Sequence, residues 1–200
     1  VLYYDAINRC NKLLMHIENI DWEGDSDKRS AVEGETRFIR AFLYFDMLRI
    51  WENIPLLTEP TEDNLPQADP HEVYGLVASD LKFAADNLPN TTFNKDEDGH
   101  ATRWAAKALL ARVYLFYTGY YGKTELGDIT KSYVLEGLED VISNSGHDIL
   151  SNFASLWPVA SSYQKTVDGT TEYAGKGNNE TVFAIKYNYT SNYDGNTDGN

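Results

Sequence analysis

The 200-residue sequence is poor in cysteine and in basic residues. Its single cysteine, Cys10, excludes a disulfide bond within the chain. Only 17 lysines and arginines stand against 31 aspartates and glutamates, and the net charge of −14 disfavours binding to nucleic acid and to anionic membrane surfaces. The four histidines, His16, His71, His100 and His147, are too far apart in the sequence to show the ligand spacing of a zinc site.

The sequence also lacks segments that would target or anchor it. No uninterrupted apolar run reaches the ~18 residues that a membrane-spanning helix needs. The chain opens at Val1 without the basic and apolar regions of a secretory signal, and Asn8 and Arg9 before Cys10 do not match a lipid-modification site. Because the sequence stops at Asn200 inside a loop-like stretch, we expect it to be part of a longer chain.

Apolar residues recur at helical spacing as far as about residue 143, and this pattern predicts five helices. The predicted helices cover about residues 4–17, 28–51, 70–88, 102–119 and 128–143. Asp69 and Thr102 are the predicted N-caps of the third and fourth helices, and Pro70 with Glu72 completes a capping box. The second helix is apolar on nearly every side, so other helices must cover it on two faces.

A weak internal repeat has an offset of 70 residues. It aligns Ala41 and Tyr44 with Ala111 and Tyr114. Seventy residues are about twice the tetratricopeptide period of about 34, so the repeat predicts a mainly α fold of stacked, tetratricopeptide-like helix pairs. The alternative is that two buried helices share these residues without being repeats.

Residues 144–200 differ in composition, because Gly, Asn, Ser, Thr and Tyr dominate there. Only residues 180–187 alternate as a short strand does. We therefore predict a single, incomplete domain over residues 1–200, with a helical scaffold at 1–143 and a loop-rich segment at 144–200. Loops on a rigid scaffold are where binding residues usually lie.

The loop-rich segment contains a run of tyrosines and polar side chains. Tyrosine rings stack on the C–H faces of sugars, and Asn, Asp and Thr side chains bond to sugar hydroxyls. The candidate carbohydrate-binding residues are Tyr187, Asn188, Tyr189, Asn192, Tyr193 and Asp194. Trp157 and Tyr163 are weaker candidates. Taken alone, the composition of the run favours a solvated loop or a protein interface with incidental tyrosines over a carbohydrate site.

The sequence shows no catalytic motif. No serine stands in a Gly-x-Ser-x-Gly setting, and carboxylate pairs such as Glu33 and Glu35 are expected on any acidic surface. Residues 194–199 open like an EF-hand loop, but the chain ends before the twelfth position, and in the similar stretch 94–99 that position is Ala105. We predict no enzyme activity and no cofactor, with calcium at residues 194–199 as the alternative to an ordinary turn.

Four stretches of the sequence resemble the SusD/RagB family, in the family's order. The most specific is RFIRAFLYFDMLRIWENIPLLTEP at residues 37–60. The others are YDAINRCN at 4–11, AAKALLARVYL at 105–115 and NETVFAI at 179–185. The resemblance covers nearly the whole sequence, although family members are about twice as long or more.

The resemblance implies a tetratricopeptide-like scaffold whose irregular insertions bind nutrient. It implies a Bacteroidetes surface lipoprotein for polysaccharide utilisation, anchored in the outer membrane by a lipid absent from this sequence. Such a protein passes oligosaccharide to a SusC-like TonB-dependent transporter and breaks no bond. No family motif falls on residues 187–194, so those candidates depend on composition alone. Two alternatives are a helical-repeat interaction module without a glycan site and a glycoside hydrolase.

Overall fold

The computed structural model describes residues 2–91, 99–156 and 178–185. Most of them form five helices: α1 Leu2–His16, α2 Ser26–Trp51, α3 Pro70–Asn87, α4 Arg103–Tyr121 and α5 Lys131–Asn144. Short 3-10 helices cover Ile17–Asn19 and Phe153–Leu156. The mainly helical fold predicted from the apolar periodicity is confirmed.

Polar side chains cap the third and fourth helices where the sequence predicts them. Asp69 accepts a hydrogen bond from the His71 amide at 2.9 Å, and Thr102 accepts one from the Ala105 amide at 3.2 Å. These caps provide acceptors for amides that have no partner within the helix. The fifth helix begins three residues later than predicted because Thr130 is its N-cap.

Each helix packs against the next one along the chain, and the α2–α3 interface is the most extensive. The ends that meet show that neighbouring helices are antiparallel. Tyr3 at the start of α1 contacts Trp51 at the end of α2, and His71 at the start of α3 contacts Tyr117 near the end of α4. This is the arrangement of stacked helix pairs.

The 70-residue repeat appears in the packing of α2 and α4. Ala41 and Ala111 are both buried, as are Tyr44 and Tyr114. Each tyrosine hydroxyl donates a hydrogen bond to a carbonyl in the segment after its own helix. Tyr44 donates to Leu57 at 3.0 Å, and Tyr114 donates to Thr124 at 2.6 Å. The two helix pairs therefore use matching residues for the same purpose.

The strand predicted at residues 180–187 is not formed over residues 180–185. Phe183 instead packs its ring against Phe38 and Phe42 of α2, with centroid separations of 5.0 and 6.3 Å. No strand pairs with this segment among the described residues, so its apolar residues pack on helices rather than in a sheet. Residues 186 and 187 lie outside the described ranges. The division of the chain at residues 143 and 144 stays a prediction.

Candidate functional site

The tyrosine-rich segment predicted to bind carbohydrate lies outside the described residues. This applies to Tyr187, Asn188, Tyr189, Asn192, Tyr193 and Asp194. Trp157, Tyr163 and both calcium-like stretches, apart from Gly99, also lie outside them. These assignments stay predictions, and the candidate site below is built from residues that the structure describes.

A cleft lies between α1 and residues 53–67, which follow α2; we call it the α1 cleft. It consists of two adjoining cavities of about 400 and 380 Å³. Tyr4 and Pro55 line both cavities and form the boundary between them. Each cavity falls within the range of small-ligand pockets, roughly 300–1,000 Å³.

Hydrogen bonds join the two ends of the segment 53–67, which lies opposite α1. The Ala68 amide donates to the Ile54 carbonyl at 3.0 Å, and Pro55 and Gln67 form an isolated antiparallel bridge. The Tyr4 hydroxyl donates to the Pro55 carbonyl at 2.9 Å and so joins this segment to α1. Burial raises the pKa of Tyr4 to about 12, which keeps its hydroxyl protonated at neutral pH.

The backbone of Leu57 provides a second attachment. The Tyr44 hydroxyl accepts a hydrogen bond from the Leu57 amide at 2.8 Å and donates one to the Leu57 carbonyl at 3.0 Å. Asn11 Nδ2 donates to the same carbonyl at 3.0 Å and to the Glu59 carbonyl at 3.3 Å. These hydrogen bonds attach residues 57–59 to α1 and α2 and satisfy the buried polar groups involved.

A buried ion pair is hydrogen-bonded to Asn11 and so supports this attachment. Arg40 donates from Nε and Nη2 to the two carboxylate oxygens of Asp80, each at 2.8 Å, and from Nη1 to Asn11 Oδ1 at 2.7 Å. Burial opposes the charge of Arg40, but the hydrogen bonds and charge of Asp80 raise the pKa of the guanidinium above its usual value. One hydrogen-bonded network thus connects α1, α2, α3 and the wall of the α1 cleft.

The smaller cavity contains an aromatic surface. Trp51, at the end of α2, is 54% exposed, and its ring contacts the Tyr3 ring edge-to-face at a centroid separation of 6.0 Å. Tyr3 donates its hydroxyl proton to Asp46, which fixes the tyrosine ring. Asn53 and Gln67 line the same cavity, so amide groups lie beside an accessible indole.

The larger cavity is polar. Its polar lining residues are Asp5, Asn8, Thr61, Glu62, Asp63 and Asn64. The Asn8 Oδ1 atom is buried and has no hydrogen-bond partner among the described residues. This acceptor is available to a donor on a bound molecule. Leaving a buried polar atom unsatisfied costs about 1–3 kcal/mol, so a hydrogen bond from a ligand would be favourable.

Sequence reasoning did not find the α1 cleft. At the end of an apolar helix, a tryptophan such as Trp51 is expected to serve packing, but the structure shows it in contact with Tyr3 and 54% exposed. Asp5 and Asn8 lie on α1, whereas Asp63 is more than fifty residues away. The only local signal was the helix-ending stretch 51–55, in which a tryptophan, an acid and an amide precede a proline.

The described residues form neither a metal-ligand cluster nor a membrane-spanning helix. Over residues 2–91, 99–156 and 178–185, no three His, Cys, Asp or Glu side chains come together as ligands for a metal ion. In the same ranges, every helix falls short of the length and apolar character required to cross a bilayer.

Comparison with known proteins identifies the family. The model of a SusD-like family described as "Starch-binding associating with outer membrane" matches residues 1–115, which is more than half of the sequence. The chain therefore belongs to the SusD-like family. A SusD-like protein of Bacteroides ovatus is 29% identical over 197 residues, which cover 92% of this chain and 32% of the relative. The chain thus spans about a third of the length of that curated relative.

Solved structures agree with this assignment. A laminarin-binding SusD-like protein aligns with a TM-score of 0.66 and 29% identity, over 80% of this chain and 34% of that one. A structure described as containing xylogluco-oligosaccharide aligns with a TM-score of 0.65 and 27% identity, over 80% of this chain and 32% of that one. The family description and these two structures all refer to a carbohydrate: starch, laminarin and xylogluco-oligosaccharide.

Proposed function

We propose that this protein captures oligosaccharide at the cell surface without catalysis and delivers it to a SusC-like TonB-dependent transporter in the outer membrane. Membership of the SusD-like family supports the proposal, as do the relatives described with laminarin and with xylogluco-oligosaccharide. The family description supports the outer membrane as the location. Surface exposure and a lipid anchor in the whole protein complete the proposal.

The observation that carries this proposal is the composition of the α1 cleft. A pyranose ring presents an apolar C–H face, which stacks on an aromatic ring, and a rim of hydroxyls, which both donate and accept hydrogen bonds. The exposed Trp51 ring fits the first requirement. The amides of Asn53 and Asn64 and the carboxylates in the adjoining cavity fit the second.

The rigidity of the cleft wall also favours capture. Residues 54–59 are joined to α1 and α2 through Tyr4, Asn11 and Tyr44 before any ligand arrives. A preorganised site loses less conformational entropy on binding, so more of the contact energy appears as affinity.

Isothermal titration of the whole protein with oligosaccharides derived from laminarin and xyloglucan tests the proposal. Trp51→Ala is expected to weaken binding about tenfold, because an aromatic contact contributes about 0.5–1.5 kcal/mol beyond its buried area. Phe153→Ala is the matched control, since this ring is 72% exposed and lies beyond α5. The control is expected to bind like the unmodified protein.

The outcomes separate the alternatives. If Trp51→Ala binds as tightly as the unmodified protein, the α1 cleft is not the site, and Tyr189→Ala then tests the tyrosine-rich segment. If the unmodified protein binds no glycan, capture is wrong and the interaction-module alternative is favoured. Release of reducing sugar from a polysaccharide would instead support a glycoside hydrolase.

Delivery and location need separate measurements. Co-purification of the tagged protein with a TonB-dependent transporter from outer membranes is expected if it serves that transporter. Loss of the protein from intact cells under external protease, together with incorporation of labelled fatty acid, is expected for a surface lipoprotein. Retention of the protein in the soluble fraction would contradict the proposed location.

A further inference from the structure

The charged side chains that line the α1 cleft are all acidic. Asp5, Glu62 and Asp63 line its larger cavity, and all three are exposed to solvent. No lysine or arginine of the described residues lines either cavity. A ligand in the cleft therefore contacts a lining whose charged side chains are all carboxylates.

The basic side chains nearest to the cleft in the sequence do not line its cavities. Arg49 forms an ion pair with Asp46 at 2.5 Å, and Asp46 also accepts a hydrogen bond from the Tyr3 hydroxyl. Arg9 and Lys12 are exposed on α1, but neither lines a cavity. The net charge of −14 adds a long-range repulsion of anions to this local one.

We infer that the α1 cleft selects uncharged oligosaccharides and rejects anionic ones, such as those rich in uronic acids or sulfate esters. This inference rests on the proposed function, because it assigns a substrate class to the same cleft. Ionised carboxylates only accept hydrogen bonds, and so does the unpartnered Asn8 Oδ1 atom. The hydroxyls of an uncharged sugar supply the donors that these groups need, whereas a carboxylate or sulfate on the sugar adds acceptors and repulsion.

The size of the effect follows from Coulomb's law. Two like charges about 4 Å apart in water repel each other by about 1 kcal/mol, which corresponds to roughly a fivefold change in affinity. Contacts with two of the three carboxylates are therefore expected to weaken binding of an anionic oligosaccharide more than about tenfold. The difference should shrink in high salt, since the Debye length falls from about 8 Å at physiological ionic strength to about 3 Å at 1 M.

The test compares matched ligands on the whole protein. Laminarin and xyloglucan oligosaccharides are measured by titration calorimetry, each beside the same oligosaccharide oxidised at C6 to carboxylates. The oxidised forms are expected to bind more than about tenfold more weakly at low salt. Equal or tighter binding of the oxidised forms would overturn this inference and leave glycan capture intact, whereas no binding of any probe would overturn both.

A double variant assigns the selectivity to the cleft. Asp5→Asn with Asp63→Asn is expected to strengthen binding of the oxidised forms about fivefold or more and to change binding of the neutral forms less than about threefold. Glu136→Gln with Glu139→Gln is the matched control, because it removes two exposed charges from α5. If the control gains as much affinity for the oxidised forms as the cleft variant, net charge alone rejects anions and the inference is wrong.

Discussion

Arg40 on α2 and Asp80 on α3 form a two-pronged ion pair, with both N–O distances at 2.8 Å and the Asp80 side chain fully buried. The remaining guanidinium nitrogen, Nη1, donates a hydrogen bond to Asn11 Oδ1. Asn11 Nδ2 in turn donates hydrogen bonds to the Leu57 and Glu59 carbonyls. The pair therefore connects helix packing to the position of the α1 cleft wall. The contribution of a buried ion pair to stability is tested by removing one partner and measuring the change in the free energy of unfolding.

Asp80→Asn is expected to lower the free energy of unfolding by about 3–5 kcal/mol, because it leaves the buried Arg40 charge uncompensated. Urea denaturation followed by circular dichroism measures this loss. Asp86→Asn is the control, since Asp86 pairs with Lys82 at 2.8 Å on an exposed part of the same helix. That exposed pair is expected to contribute less than about 1 kcal/mol, so equal losses for the two variants would contradict the role given to Asp80.

Tyr44→Phe is expected to lower the free energy of unfolding by about 1–3 kcal/mol, because it removes both hydrogen bonds to Leu57 and leaves a buried amide without an acceptor. Tyr114→Phe is the matched variant in the second helix pair. It loses one hydrogen bond, to the carbonyl of Thr124. Because Thr124 is an exposed residue, we expect water to replace the phenol as the donor, so the loss of stability is smaller. Urea denaturation compares the two, and a larger loss for Tyr114→Phe would contradict this account.

Stability is expected to fall between about pH 10 and pH 12. Burial raises the pKa of Tyr4 and of Tyr44 to about 12, and burial together with the Glu52 carboxylate raises that of Tyr121 to about 12. In the unfolded chain these phenols ionise near pH 10. The folded state thus holds its protons more tightly, so the stabilisation is complete below about pH 10 and is lost as the pH rises through about 12.

Urea midpoints measured from about pH 8 to about pH 12, with tyrosinate absorbance followed in parallel, check this dependence. Tyr44→Phe removes one of the raised groups and should make the alkaline decline shallower, although it starts from a lower stability. A urea midpoint that stays constant up to about pH 12 would show that these tyrosines titrate normally in the folded protein.

Local patterns in the sequence predicted the helices well. The caps Asp69 and Thr102 act on amides two and three residues away, so their effect depends on neighbouring residues alone. The burial of Ala41 and Tyr44 likewise followed from helical spacing. The strand prediction at 180–187 was wrong over 180–185 because alternation does not show whether the partner is a strand or a helix. Phe183 packs on Phe38 of α2 instead.

By itself, the sequence determined the number of helices, the N-caps of the third and fourth helices and the family to which the chain belongs, because short-range spacing and composition carry that information. Only the tertiary structure decided where a cleft forms. Asp5 and Asp63 line one cavity because Tyr4, Asn11 and Tyr44 hold a distant segment against α1. Contacts between residues so far apart in the chain depend on how whole helices pack, and no local pattern specifies that packing.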